Sequence, residues 1–95
     1  DDRTILEDVN RVLVARAPNP IQGMIEARGV GLLNVDTAPC GKIVLVIDMD
    51  KEEQSRLPDP RYVTYLGHEI ALQYKVNAPY FSSAVYQLLT HGRRA

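Results

Sequence analysis

One cysteine, no long apolar run and almost no net charge set the first limits on this sequence of 95 residues. Cys40 stands alone in the turn-like string Ala38-Pro39-Cys40-Gly41, so no internal disulfide can form and a reducing compartment is expected. No histidine is near it in sequence to activate a nucleophile, which makes it an incidental thiol. The longest apolar stretch, Ile43 to Ile47, is far below the roughly 20 residues that span a bilayer. With no signal peptide visible, the expectation is a soluble cytoplasmic protein with no membrane partner. Eleven Lys and Arg are offset by 12 Asp and Glu, and no basic stretch is interleaved with aromatics, so nucleic acid is not an expected partner. Neither His68 nor His91 belongs to a metal-binding spacing, and both read as incidental, His68 in a turn and His91 at a helix end. No internal repeat or low-complexity segment is present. A chain this short allows one domain with a modest core, burying about two-thirds of the surface it exposes when unfolded.

What is present is strand-rich. Thr4 to Glu7 and Arg11 to Arg16 read as the arms of a hairpin turning at Asp8-Val9-Asn10, because Asp and Asn bond locally to their own backbone. Ala17-Pro18-Asn19-Pro20 ends the second arm. A short helical turn over 21–25 and an extended segment from Glu26 to Val35 follow. Lys42 to Asp48 is β-branched without alternation, the pattern of a strand buried on both faces at the centre of a sheet. Asp50 to Arg61 reads as a solvent-facing loop long enough to be functional. Val63 to Leu66 and Ile70 to Val76 flank Gly67-His68-Glu69 as a second hairpin. Then the period changes: Phe81, Ala84, Val85, Leu88 and Leu89 form one stripe of an amphipathic helix, with Asn77 or a neighbour as cap, Pro79 in the first turn and Gly92 as the stop. The fold expected is α/β in the α+β-like sense, a mixed sheet of five or six strands with a C-terminal helix packed on it.

Within this frame, Ile21 to Gly31 places one carboxylate and one guanidinium in an apolar run punctuated by glycines. Burying a charge costs several kcal/mol, roughly a domain's whole stability margin, unless the charge is paired or holds a metal. Glu26 and Arg28 therefore call for a partner, either each other or a ligand. Two residues apart, they would share a face of an extended segment.

The order Gly23, an apolar pair, Glu26, Ala27, Arg28, Gly29 resembles the signature segment of the bacterial HPr kinase/phosphorylase family. Asp1-Asp2 followed by Arg3 resembles the family's paired aspartates, and Ser55-Arg56-Leu57-Pro58 lies at about the expected distance downstream. The resemblance runs over nearly the whole chain. It implies that residues 1–95 are the C-terminal part of a single catalytic domain, a P-loop kinase fold related to phosphoenolpyruvate carboxykinase. The activity implied is transfer of phosphate from ATP, with Mg²⁺, to a serine of the phosphocarrier HPr, and its reversal with inorganic phosphate to give pyrophosphate. A homo-hexamer whose C-terminal helix helps dock HPr is implied too, with Tyr80 and Tyr86 at a subunit or HPr contact. The phosphate cradle Gly-x-x-x-x-Gly-Lys-Ser/Thr does not occur in the sequence; in the family it precedes the paired aspartates.

The same resemblance implies the roles of single residues. Asp2 would act as general base toward the substrate serine and as general acid in reverse, with Asp1 and Glu26 as Mg²⁺-side ligands. Arg28 would orient phosphate or a neighbouring acid through its planar fork, and Arg56 would serve dephosphorylation from a mobile loop. Two departures stand against this pattern. Pro58 follows where a glycine is common, which stiffens that loop. Ala78-Pro79-Tyr80-Phe81-Ser82 lacks the arginine of the family's Pro-x-Arg-Asn string, as in shortened members without the N-terminal domain. From residues alone, a solvated Arg56, a structural Glu26–Arg28 pair and a charged chain start at Asp1-Asp2 remain open. A non-catalytic binding module and a small-metabolite kinase are the competing functions.

Overall fold

The structure, a computed structural model, describes residues 3–18 and 23–95. The chain is mixed α and β, mostly strand with one C-terminal helix. Two compact units divide it, Asp1–Val44 with Thr64–Glu69, and Leu45–Val63 with Ile70–Ala95.

In the first unit, β1 (Ile5–Val9) pairs antiparallel with β2 (Val12–Arg16), and β2 pairs with the two-residue β5 (Gly41–Lys42), so β2 is central. The register sets the faces: Leu6 opposes Ala15 and Asp8 opposes Leu13 on one, while Glu7 opposes Val14 and Ile5 opposes Arg16 on the other. On the second face the diagonal neighbours Arg16 and Glu7 form an ion pair of 2.7 Å, both sides partly exposed. On the first, His68 Nε2 meets Asp8 Oδ1 at 2.8 Å, bringing the segment Thr64–Glu69 against the face that carries Leu13. Leu13, 2% exposed, is the one buried hydrophobic residue among those described.

The β1–β2 turn lies two residues later than Asp8-Val9-Asn10, at Asn10-Arg11, with φ of 50° and 66°. Two positive φ values in a two-residue loop match the type I′ turn, whose twist suits the flanking strands. Asn is at home at the first position; arginine at the second carries a left-handed cost of roughly 1–2 kcal/mol. Arg11→Gly restores the preferred Asn-Gly pair, and a rise in the urea midpoint of unfolding, with an unchanged slope, is the expected result. An unchanged or lowered midpoint would show that the arginine side chain contributes more than its backbone costs.

Residues 23–35 form a hairpin instead of one extended segment. β3 (Met24–Ala27) pairs with β4 (Gly31–Asn34), Glu26 opposite Leu32, and residues 24 and 25, expected in a helical turn, are strand. Val30 N–H donates to Ala27 O at 2.8 Å, closing a turn with Arg28 and Gly29 at its corners. Gly29 has φ of 85°, the positive value that the third residue of a type II turn requires and glycine supplies without strain.

The run from Lys42 to Asp48 does not make one central strand. It breaks at Ile43–Val44, where the chain leaves the first unit: Ile43 N–H donates to Leu13 O at 2.9 Å, and β6 (Leu45–Glu52) starts afresh in the second. There β6 is an edge, in the order β6-β8-β7, with β7 (Arg61–Tyr65) and β8 (His68–Lys75). Its second half, Asp48-Met49-Asp50-Lys51-Glu52, carries the charges that suit an edge. β6 and β8 are parallel, and a bulge lies between Asp48 and Glu52, where Asp50 N–H donates to Asp48 Oδ1 at 3.0 Å. A two-residue turn at Leu66-Gly67 joins β7 to β8, again with both φ values positive, 49° and 80°. β8 takes the central place, and Leu72 through Val76 are half-buried on both of its faces.

The helix α1 (Phe81–His91) agrees with the stripe, although only Phe81, Val85 and Leu88 are half-buried, while Ala84 and Leu89 are exposed. Tyr80, not Asn77, stands at the N-cap and makes no side-chain cap bond; Gly92, at φ of 74°, ends the helix by donating to Leu88 O at 2.9 Å. The expected single sheet is thus three small ones among the described residues, and the chain exposes 7868 Å². Against about 15,000 Å² for an unfolded chain of this mass, burial is roughly half instead of two-thirds, because two- and three-stranded sheets leave large faces uncovered.

Candidate functional site

Residues singled out by the sequence fall in different places. Asp1 and Asp2 lie outside the described residues. Glu26 sits on β3 and Arg28 in the turn that follows it, both exposed. The desolvation cost that made this pair conspicuous therefore does not arise. Nor do the two share a strand face, since β3 ends at Ala27. Arg56 belongs to the second unit, in the loop 53–60.

That loop is held at its neck. β6 runs to Glu52, and Arg61 opens β7, so the expected loop from Asp50 to Arg61 shrinks to eight residues. Across the neck the two terminal guanidinium nitrogens of Arg61 donate to Glu53, Nη1 to Oε1 and Nη2 to Oε2 at 3.3 Å. Oε2 also accepts the backbone N–H groups of Gln54 and Ser55, each at 3.1 Å. Glu53 N–H donates to Lys75 O at 2.8 Å, fixing the same residue to the central strand. The Arg61 guanidinium further stacks over the Tyr74 ring at 4.2 Å, a cation–π contact that orients the fork. The Glu53 side chain is 4% exposed and that of Arg61 34%. Such planar, two-toothed recognition is what Arg offers a carboxylate and Lys does not.

Arg61 holds the Glu53 carboxyl below its ordinary value of 4.5, with the Ser55 N–H next in effect and burial opposing. The same bond raises the already high Arg61 value. A carboxyl lowered in the folded state stabilises fully above its unfolded pKa, and that contribution disappears as pH falls from about 4.5 through the lower folded value. The Arg61 shift has its window at extreme alkaline pH. Glu53→Gln is therefore expected to be less stable than the parent at pH 7 and by a smaller margin at pH 3, read by urea unfolding at both. An equal deficit at both values would mean that packing, not charge, is lost.

Between this clamped loop and α1 lies a cleft of about 340 Å³. Leu57, Val76, Phe81, Val85 and Leu88 line it, with Arg56 and Arg93 among its polar residues. Arg93, just past the helix, donates to Pro58 O and, at 3.3 Å, to Ala95 O, so the residues after α1 are tied to the loop.

A divalent cation implied by the sequence resemblance would find Glu26 as a hard oxygen donor, but no group of three His, Cys, Asp or Glu side chains that could hold a metal exists among the described residues. A single carboxylate suits Mg²⁺ carried largely by water and phosphate oxygens. It does not suit a cation caged by protein.

Sequence reasoning missed the two pairs that organise the units, Glu53–Arg61 and Asp8–His68. His68, read as incidental, is an anchor between segments 60 residues apart, and no local pattern signals a contact of that kind. No helix is long and apolar enough to cross a membrane among the described residues. Comparison with protein-family models, curated proteins and solved structures gives no match.

Proposed function

We propose that the chain is the C-terminal part of the catalytic domain of an HPr kinase/phosphorylase, a P-loop kinase fold working in the cytoplasm on the phosphocarrier protein HPr. The observation that carries the reading is the ordered string Gly23-Met24-Ile25-Glu26-Ala27-Arg28-Gly29, whose glutamate is on an exposed strand and whose arginine and last glycine form the adjoining turn. A carboxylate and a guanidinium presented at a hairpin end suit a polyphosphate and its cation, and an incidental loop has no need of that order.

In the forward reaction, the serine hydroxyl of HPr attacks the γ-phosphorus of ATP, the bond to ADP breaks, and Asp2 takes the serine proton. In reverse, inorganic phosphate attacks the phosphoserine phosphorus, the serine oxygen leaves with the proton held by Asp2, and pyrophosphate is formed. Mg²⁺, held from the protein side by Asp1 and Glu26, supplies neutralisation of phosphate charge when bound. Arg28 orients the phosphate, and Arg56 acts in dephosphorylation from a loop whose neck is closed by Glu53 and Arg61. A homo-hexamer belongs to the same reading, with Tyr80 and Tyr86, 63% and 70% exposed, at a subunit or HPr contact.

The test is an assay of the intact protein, its P-loop verified, with HPr and γ-labelled ATP. Labelled phosphoserine on HPr is expected, its phosphoryl group passing to added phosphate as labelled pyrophosphate. A P-loop protein that labels no serine of HPr overturns the assignment, and label on a small molecule instead indicates a metabolite kinase.

A further inference from the structure

The cleft beside α1 has a polarity that phosphate chemistry does not require. Its floor is apolar, with Leu57, Val76, Phe81, Val85 and Leu88 converging on a volume of about 340 Å³. That size falls within the range of about 300–1,000 Å³ typical of small-molecule sites, which are apolar with a few placed polar groups. Among the side chains of its lining only Glu53 is a carboxylate, and it is neutralised by Arg61 and by two backbone N–H groups, so it adds little repulsion toward an anion. Arg93 is engaged by backbone carbonyls. Arg56 differs from both: its guanidinium has no hydrogen-bond or ion-pair partner among the described residues, although it lines the same cleft.

We propose that this cleft binds a small amphipathic carboxylate, an acid with an unbranched apolar chain. The chain lies along Leu57, Val85 and Leu88, and the carboxylate meets the fork of Arg56. Charge complementarity selects the anion: two guanidinium groups stand against a carboxylate already spent. The floor selects the apolar body, since Leu57, Val76, Phe81, Val85 and Leu88 carry no polar side-chain atoms; Ser55, Gln73 and Tyr80 add donors elsewhere in the lining. The proposal shares Arg56 with the kinase reading but uses no residue of the 23–35 hairpin, and its test reads binding instead of phosphate transfer, so either can fail without the other.

Octanoate is the probe and 1-octanol, with the same chain but no charge, is its control, both titrated into the full ¹⁵N-labelled chain. Saturable amide shifts confined to residues 54–57, 76 and 81–88 are expected with octanoate. A hydrogen-bonded charge pair is worth about 1.5–3 kcal/mol, so octanol is expected to bind at least about tenfold more weakly, and Arg56→Gln to weaken octanoate by the same factor while leaving octanol unchanged. Arg56 is exposed, so the substitution leaves the fold intact, which the circular dichroism of α1 verifies. No saturable shift, equal affinity for octanoate and octanol, or an Arg56→Gln chain that binds octanoate as before would each overturn the proposal.

Discussion

Leu13→Ala is expected to unfold most of the first unit at room temperature. Leu13 is 2% exposed and is the second residue of β2, the strand paired on both sides. Truncating a buried leucine costs about 2–5 kcal/mol, the higher figure where surroundings cannot collapse into the space. A whole domain's stability is only about 5–15 kcal/mol, and a small one stands at the low end. No other hydrophobic side chain among the described residues is buried, so nothing nearby compensates. Amide hydrogen exchange measures the effect segment by segment: protection in β1, β2 and β5 should fall by two orders of magnitude or more. Unchanged protection there would mean that the strand ladder and the Asp8–His68 contact hold the unit without its core residue. Val14→Ala, at a half-buried position on the opposite face, is the comparison and should cost distinctly less.

The elements legible in the sequence are those whose signal is local. The 3.6-residue stripe of α1 is such a signal, because it is a property of the segment itself, and the alternation of Ile70, Leu72, Tyr74 and Val76 correctly marked a strand. Turn positions were less legible. Asn10-Arg11 and Leu66-Gly67 each hold a non-glycine residue at positive φ, so composition pointed instead to Asp8-Val9-Asn10 and to Gly67-His68-Glu69. Least legible was the break at Ile43–Val44. Both residues favour strands on either side of it, and the division follows from which partner each half pairs with, β2 before and β8 after. The same limit governs the site: the order of residues 23–29 is visible in the sequence, but their hairpin needs the pairing of Glu26 with Leu32. The clamp on the Arg56 loop depends on Glu53 meeting Arg61, whose spacing alone reads as two solvated charges.

In the intact protein, on the proposed kinase reading, Glu26→Gln is expected to lower transfer to HPr serine by at least about 100-fold, the upper end of what even the groups supporting a metal ligand cost when altered. The amide keeps the size of the side chain and one acceptor oxygen, so β3 keeps its register opposite β4, which is set by backbone bonds from Met24 to Ala27. What is removed is a full negative charge that, on this reading, would help to hold Mg²⁺ and offset its charge. Raising Mg²⁺ should then recover part of the rate, because a weaker site fills by mass action. Arg28→Lys removes the planar fork but not the charge, and a smaller fall without recovery by Mg²⁺ is expected of it. Glu69→Gln, on an exposed part of β8 and outside the hairpin, should leave transfer as it was. A Glu26→Gln protein that phosphorylates HPr at the parent rate would remove the glutamate from the chemistry and leave the hairpin as a structural element.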